Sequence, residues 1–478
     1  MASILFYYPA SNPFRPTSYE TEGVGGSEAS LILASRALAQ LGHAVTVYNH
    51  IPAAEDDHGV HYHPLTAFTP AEPCDVFVLF RTFQANVLPR VQAPVKLFWS
   101  CDLYPSVAWK ANVVPHADRI LAISPFHRQH LIEQHAVAPD QVVALDLGIH
   151  RPDYEAEPAK VPGKLLYCSV PNRGLRHLAV LFPKIREQVP HAELFITSDF
   201  RLWGLEAGTE PYVRLFQDMP GVHFLGKVSR AELVRHQREA QVMAYPCEWP
   251  ENFCIAALEC LAAGVVPVTT DLAALKTTVG GDGVLLPGLP QEAAYQERFV
   301  AEVVRLLRED EYRCALAEQG RRRALERYGW DQVVKNQWEP LFLGLLARSR
   351  RSLVCGDTAA ETPQAKDPRL RMQSGRPLAI ANEGPGKEGA QRGRELYPRA
   401  CRVSLTMIVK NEEATLPDCL RSVADLVDEI VVVDTGSSDR TKEIAASFGA
   451  KVIDFPWVDS FAAARNESLR HATGDWAL

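Results

Sequence analysis

The sequence predicts an α/β chain: two successive parallel α/β units, a linker, and the opening part of a third unit. Three observations carry this. Through the first third of the chain, apolar runs of strand length alternate with stretches of helical apolar spacing, and the rhythm restarts near residue 163. From Arg348 to Cys401 the composition turns to Gly, Pro, Ala and charge without a sustained apolar period, as in a flexible linker. From residue 402 the alternation resumes. The expected divisions are 1–160, 161–347, 348–401 and 402–478.

Each element has its own signal. "SILFYYP" (3–9) is strand-like, and with a short apolar run and no charged segment before it, it does not read as a signal peptide. Residues 27–42 carry apolar side chains at helical spacing and stop at Gly42. Strands follow at 43–49, 74–80, 95–100 and 119–124. In the second unit the strands are 164–170, 192–198, 222–226, 240–246 and 265–271, with a helix over 175–190 and helical segments between the later strands. A helical stretch over 331–347 closes this half. In the third unit 402–411 is a strand, 412–427 a helix, 428–439 a strand entering a Ser/Gly/Asp turn, "RTKEIAASFG" a helix and "AKVIDFP" a strand. The chain stops at "GDWAL" as a further strand begins, so this unit is expected to be only half of an ordinary α/β domain.

Composition narrows the function. Hydrophobic residues are 47% and charged residues 23% of 478, an ordinary globular balance. A net charge of −8 gives no reason to expect a nucleic-acid partner. The ten cysteines form no C-x-x-C pair and several sit in apolar runs, as reduced thiols do in a cytosolic protein. The longest apolar stretch, 253–270, is broken by Glu259, Gly264 and Pro267, so no membrane span is expected. The expected location is the cytoplasm, with contact at the cytoplasmic face of a membrane left open. His58, His61 and His63 beside Asp56 and Asp57 have metal-ligand chemistry, but their short polar segment reads as a solvated loop. "GRRRALERY" (320–328) reads as a solvated helix face.

The segment "ENFCIAALE" (251–259) poses a physical problem. It reads as a buried helix stopped by Gly264, yet a glutamate stands at each end. A carboxylate in an apolar stretch is costly unless something pairs with it. A solvated face or a buried hydrogen bond would answer for Glu259; so would a ligand. Eight helical residues span about 12 Å, the length of a sugar–diphosphate–ribose. The sugar could meet Glu251, the phosphates the N–H groups of Phe253, Cys254 and Ile255, and the ribose Glu259.

The segment resembles the Glu-x7-Glu element of retaining glycosyltransferases of the GT-B fold, family 4 in particular. The loop and helix "GVGGSEASLILASRALAQLGHAVTVY" (23–48), with "HADRILAISPFHRQHL" (116–131), "VVALDLGIHRPDY" (142–154) and "SVPNRGLRHLAVLFPKI" (169–185), are similar to other parts of that family, over about 1–345. The resemblance implies two Rossmann-like domains, acceptor-side then donor-binding, and a metal-independent transfer with no cofactor. Gly25 and Gly26, placed with the donor-binding residues, would approach a donor phosphate or the acceptor. The loop is not a dinucleotide fingerprint, since Glu28 stands where a third glycine belongs and no acidic residue follows Tyr48. Arg173 would hold the donor phosphates, helped by Arg176, because the family's other basic residue is replaced in Ser169-Val170-Pro171. Glu251 and Asp102 are the candidate catalytic residues; Cys101 takes the place of the histidine that often precedes that aspartate.

Residues 402–478 resemble the start of a family 2 glycosyltransferase of the GT-A fold, on "SLTMIVKNEEATLPDCLRSV", "EIVVVDTGSSDRT" and "FAAARNESLRHATGDWAL". The resemblance implies a nucleotide held by Asn411, Glu412 and Asp434, with Asp439, Arg465 and Asn466 nearby. The Asp-x-Asp motif that takes Mg or Mn in that family would follow "GDWAL", so this part is expected to be inactive as it stands, with the ion needed only by a complete GT-A domain. The expected activity is sugar transfer from a nucleotide-sugar donor to a glycan, lipid-linked or protein acceptor. An epimerase or hydrolase on the same fold, or a non-catalytic nucleotide-sugar-binding scaffold, are the alternatives.

Overall fold

Strand β1 (Ser3–Tyr7) is apolar on both faces, and its neighbours explain why. It lies inside a sheet, paired in parallel with β2 (Ala44–Asn49) and β5 (Val76–Phe80). The computed structural model describes residues 1–10, 13–21, 23–84, 86–103, 107–205, 207–354, 402–423, 427–457, 461–474 and 476–477. These fall into two units, one within 1–362 and one within 363–478.

The first unit holds two sheets. With β3 (Glu55–Asp57), β4 (Val60–Pro64), β6 (Val95–Trp99), β7 (Arg119–Ala122) and β8 (Val142–Ala144), the first has the order β3-β4-β2-β1-β5-β6-β7-β8. All neighbours are parallel except the β3–β4 edge. The second contains β9 (Lys164–Tyr167), β10 (Glu193–Ile196), β11 (Val222–Phe224), β12 (Val242–Tyr245), β13 (Val266–Thr270) and β14 (Val284–Leu286), in the order β11-β10-β9-β12-β13-β14. Every pair in it is parallel. In both sheets the order reverses beside the first strand, a topology that opens a crevice at the carboxyl ends of the strands.

Helices cover both sheets because crossovers between parallel strands must pass over their faces. The helix Gly26–Gln40 follows β1, and Leu175–Gln188 follows β9. The helix Ile255–Ala262 follows β12 and ends at Gly264, whose φ of 68° suits a residue without Cβ. The closing helical stretch, Trp330–Val333, a π-helical turn over Val334–Trp338 and Glu339–Val354, returns to the first sheet. There the Trp338 ring meets Trp99 edge-on at 4.5 Å, and Trp330 lies 6.3 Å from both. Through these rings a single apolar cluster runs from the first sheet into the second.

Some expectations need correction. The helix expected over 251–259 begins only at Ile255, because Cys254 is left-handed, with φ 72° and ψ 73°. The stretch 320–328 is not a solvated face. It belongs to Asp310–Arg327, where Gly320 packs on Leu261, Arg321 donates to the carbonyls of Tyr154 and Ala262, and Arg323 pairs with Asp282. Residues 348–354 of the expected linker continue a helix, and 355–401 lie outside the described residues. His58 binds Asp57 and His61 binds Asp56 at the β3–β4 edge. Among the described residues no group of three or more His, Cys, Asp or Glu is placed to hold a metal. No described helix is long and apolar enough to cross a membrane.

The second unit is a four-stranded parallel sheet of β15 (Val403–Val409), β16 (Glu429–Asp434), β17 (Lys451–Asp454) and β18 (Trp476–Ala477), ordered β17-β16-β15-β18. Its helix over 412–427 shortens to Leu416–Val423 among the described residues. Asn411 is left-handed, and Glu412 and Glu413 give their N–H groups to Thr441 and Asp439 instead.

If the tryptophan cluster joins the two halves of the first unit, Trp338→Ala should cost about 3–5 kcal/mol of unfolding free energy. Urea denaturation followed by circular dichroism measures this, and a loss below about 1 kcal/mol would refute it.

Candidate active site

The two sheets of the first unit face each other across a cleft of about 630 Å³ at the carboxyl ends of their strands. After β9 the chain makes a tight turn, Pro171–Arg173, and enters the helix Leu175–Gln188 through Gly174. Gly174 has φ 125°, and a Cβ there would collide with the carbonyl oxygen of Pro246. That close approach sets the direction of Arg173. Its guanidinium lies 4.4 Å over the Trp249 ring, with Nε 3.8 Å from Glu251 Oε1.

Glu251 is held from several sides. The Tyr245 hydroxyl donates to its Oε1 at 2.5 Å, and Ser169 Oγ lies 3.2 Å from the same hydroxyl. The Glu251 carbonyl accepts from the N–H of Ala274, and the Phe253 carbonyl accepts from the Thr278 hydroxyl. Asn252 Nδ2 donates across the cleft to the Cys101 carbonyl at 2.7 Å. The loop therefore delivers Cys254 and the N-terminus of the 255–262 helix to the cleft wall, with no side-chain cap on that terminus. Gly26 faces it; a Cβ on Gly26 would lie 3.1 Å from Ile255 Cδ1.

Glu259 is buried, and the structure supplies its partner. Arg230 donates to Oε1 at 2.7 Å and Gln237 to Oε2 at 3.1 Å. Arg230 also donates twice to Asp153 Oδ2, at 2.9 and 2.7 Å, and to the Tyr154 hydroxyl at 2.9 Å. Burial alone would favour a neutral guanidine, but Glu259 and its other acidic neighbours keep the group charged. The carboxylate is thus satisfied without a ligand, although it still lines the cleft.

The first sheet supplies the opposite wall. Asp102 follows β6, with its side chain half-exposed, and Arg81 Nε donates to it at 3.2 Å. Arg81 also donates to the buried Glu28 at 3.3 Å, and Tyr8 donates to that same oxygen at 2.6 Å. The Asp102 carbonyl accepts from His127 Nε2 at 3.2 Å. The Ile123 N–H donates to Nδ1, which fixes the tautomer, and burial pushes His127 down to about 3, so the ring stays neutral.

Two family models match this chain: Glycosyl transferases group 1 over residues 163–309, and Glycosyl transferase family 2 over residues 404–478. The chain carries two glycosyltransferase segments. The chain is 56% identical over 77 residues to a TPR repeat-containing protein of Synechococcus elongatus, covering 16% of this chain and 19% of that one. The chain is also 25% identical over 233 residues to the MMP alpha-(1->4)-mannosyltransferase of Mycolicibacterium hassiacum, covering 48% of this chain and 55% of that one. The chain thus spans about a fifth of the first of these relatives and about half of the second. In fold it is similar to a sucrose-phosphate synthase of Thermosynechococcus elongatus, with TM-score 0.57, 17% identity, and 72% of this chain and 100% of that one covered. It is also similar to HepE of Anabaena in complex with UDP and glucose, with TM-score 0.54, 17% identity, and 71% and 99% covered. The fold of the first unit is therefore GT-B.

Within the group 1 segment, Arg173, Glu251, Phe253, Cys254, Ile255 and Glu259 all line the cleft, as do Gly25, Gly26 and Asp102 from the first sheet. Arg176 does not. It pairs with Glu248 at 2.7 Å on the surface, its side chain 58% exposed. Sequence reasoning missed Arg81, Lys227, Arg230 and Trp249, which all line the cleft. Their common signal is a position just beyond the carboxyl end of a strand: Arg81 after β5, Lys227 and Arg230 after β11, and Trp249 after β12.

In the family 2 segment, Asp434 ends β16 buried. Its Oδ1 accepts from the N–H groups of Gly436 and Ser437, at 2.9 and 2.8 Å, while Oδ2 has no hydrogen-bond partner among the described residues. Burial would raise its pKa, but these bonds outweigh it and lower it. Asn411 accepts from the Ser438 N–H, and Asp439 accepts from the Thr441 N–H. Arg465 donates to the Thr406 carbonyl at 2.6 Å, and Asn466 lies on the same helix, Phe461–His471.

Two variants distinguish buried from exposed charge. Arg230→Met should destabilise the first unit by about 3–5 kcal/mol, because it strands the buried Glu259 and removes a partner of the half-buried Asp153. Arg176→Met should change stability by less than about 0.5 kcal/mol. Equal effects in urea denaturation would contradict the burial argument. Separately, Gly174→Ala should cost about 1–3 kcal/mol and move the Arg173 turn. An unchanged melting temperature would show that the approach to Pro246 is relaxed easily.

Proposed function

We propose that the first unit transfers a sugar from a nucleoside-diphosphate donor to an acceptor hydroxyl, with retention of configuration and without a metal. The observation that carries this is Arg173, lodged between Trp249 and Glu251 and facing the same cleft as the uncapped N-terminus of the 255–262 helix. Such an arrangement suits a diphosphate whose charge grows as it leaves. Glu251 orients the donor sugar. Glu259 keeps lone pairs for ribose hydroxyls while Arg230 holds it.

The chemical step follows from that placement. The bond from the sugar anomeric carbon to the diphosphate oxygen breaks, and the acceptor oxygen bonds to the same face of that carbon. The acceptor proton passes to the departing phosphate oxygen. Asp102 and Arg81 stand on the wall from which the acceptor would approach. Closure around the donor, of which the Asn252–Cys101 bond is a part, excludes water.

The named relatives suggest donors. HepE has been solved with UDP and with UDP-glucose, and the Mycolicibacterium relative is a mannosyltransferase. The acceptor class is a glycan, a lipid-linked sugar or a protein, and contact with the cytoplasmic face of a membrane would fit a lipid-linked one. In the second unit, the open acceptor of Asp434 suits an N–H of a nucleotide base.

Calorimetric titration of UDP-glucose, GDP-mannose and ADP-glucose in EDTA tests the donor site. Wild type should bind one of them, and Glu259→Ala should weaken binding about 10- to 150-fold. Arg173→Met should lower turnover about 100-fold or more. Products formed only with acceptor present would support transfer. Sugar release at the same rate without acceptor would mark a hydrolase, and no binding at all would remove the donor site.

A further inference from the structure

The charges lining the cleft do not balance. Four cations, Arg81, Arg173, Lys227 and Arg230, face three carboxylates, Asp102, Glu251 and Glu259. Arg81 is shared between Asp102 and Glu28, Arg173 lies beside Glu251, and Arg230 is held by Asp153 and Glu259. Lys227 is different. Among the described residues, no carboxylate forms an ion pair with its ammonium group.

We infer that Lys227 is a ligand for the phosphates of the donor, the second cation beside Arg173. The inference rests on the donor reading above and adds a residue which that reading does not use.

Three features of the backbone support it. Lys227 lies just beyond β11, at the carboxyl edge of the donor-side sheet, behind the left-handed Gly226. Its N–H points to Asp199 Oδ2 at 3.4 Å, and that buried carboxylate is itself held by Arg201 and Thr209. The base of the side chain is therefore anchored, while its ammonium group forms no ion pair among the described residues. The next residue touches the glycine loop of the other half, since a Cβ on Gly23 would lie 2.9 Å from the Val228 carbonyl oxygen. Lys227 thus stands where the glycine loop meets the donor-side sheet, and both border the cleft that holds Arg173.

The chemistry favours this role. A nucleoside diphosphate brings at least two negative charges into a cleft where every arginine already has a carboxylate beside it. Arg173 can turn to a phosphate only by giving up part of its attraction to Glu251. An ammonium group with no carboxylate beside it loses nothing of that kind and is a compact point charge on a flexible stem, suited to an oxygen whose position shifts as the bond breaks.

The test compares UDP and uridine as probes on the full chain, for wild type, Lys227→Met and Lys227→Arg, at low and high salt. Lys227→Met should weaken UDP about ten-fold, leave uridine unchanged and reduce the salt dependence of UDP binding. Lys227→Arg should recover most of the UDP affinity. Equal UDP affinity in wild type and Lys227→Met, or an equal loss for UDP and uridine, overturns the assignment and leaves the donor site standing. Failure of wild type to bind UDP, GDP or ADP would remove the donor site and this assignment with it.

Discussion

The buried guanidinium of Arg230 is the constraint on which the cleft depends. It gathers groups from three parts of the chain: Asp153 and Tyr154 from the passage between the halves, Glu259 from the helix Ile255–Ala262, and the Tyr19 ring, 5.2 Å away, from the first half. Removing such a group from water costs several kcal/mol, and its pairing recovers that cost only if the geometry is good. The network need not add much net stability. It does fix position, because any shift of the helix or the passage would leave a charge buried and unpaired. The axis of the 255–262 helix, and hence where its free N–H groups point, is set from behind by this ion cluster.

The two arginines on the donor side differ in a way that separates holding from binding. Arg230 lies at 2.7 Å from both of its carboxylates, whereas Arg173 Nε is 3.8 Å from Glu251. A short, buried pair resists exchange. A longer one at the cleft wall, with its cation stacked on Trp249, can re-pair with a phosphate at modest cost. Glu251 has a second partner in the Tyr245 hydroxyl, so it is not stranded when Arg173 turns away.

Much of the fold was legible because the parallel strands are buried on both faces and read as apolar runs. The site was legible in part. Glu251 and Glu259 stand out by type and spacing and Arg173 by a family resemblance, and the structure brings them to one cleft. The partner of Glu259 did not stand out, because Arg230 lies 29 residues earlier and only the packing of two helices brings them together. The start of the helix was misplaced because a cysteine, not a glycine, takes the left-handed position before it. A run of arginines at 321–323 looks solvated in a sequence, yet two of the three reach backbone carbonyls and a buried aspartate. Arg176 shows the reverse: a charge one helical turn from a good candidate that lies on the wrong face of its helix.

The segments matched by the two glycosyltransferase family models differ in the chemistry at their strand ends. The first offers cations and helix N–H groups, which suit the phosphate end. The second offers a buried carboxylate at the end of β16, one oxygen bound to two turn amides and the other without a hydrogen-bond partner among the described residues. An acceptor oxygen of that kind repels phosphate and attracts an N–H donor, which a nucleotide carries on its base. Burial would raise the pKa of that carboxylate, but hydrogen bonds from Ser437 and Gly436 and the nearby Lys442 ammonium, 3.9 Å from Oδ1, lower it. The strand ends of the two units thus offer opposite chemistry, cations beside a helix N-terminus in the first and a buried carboxylate in the second.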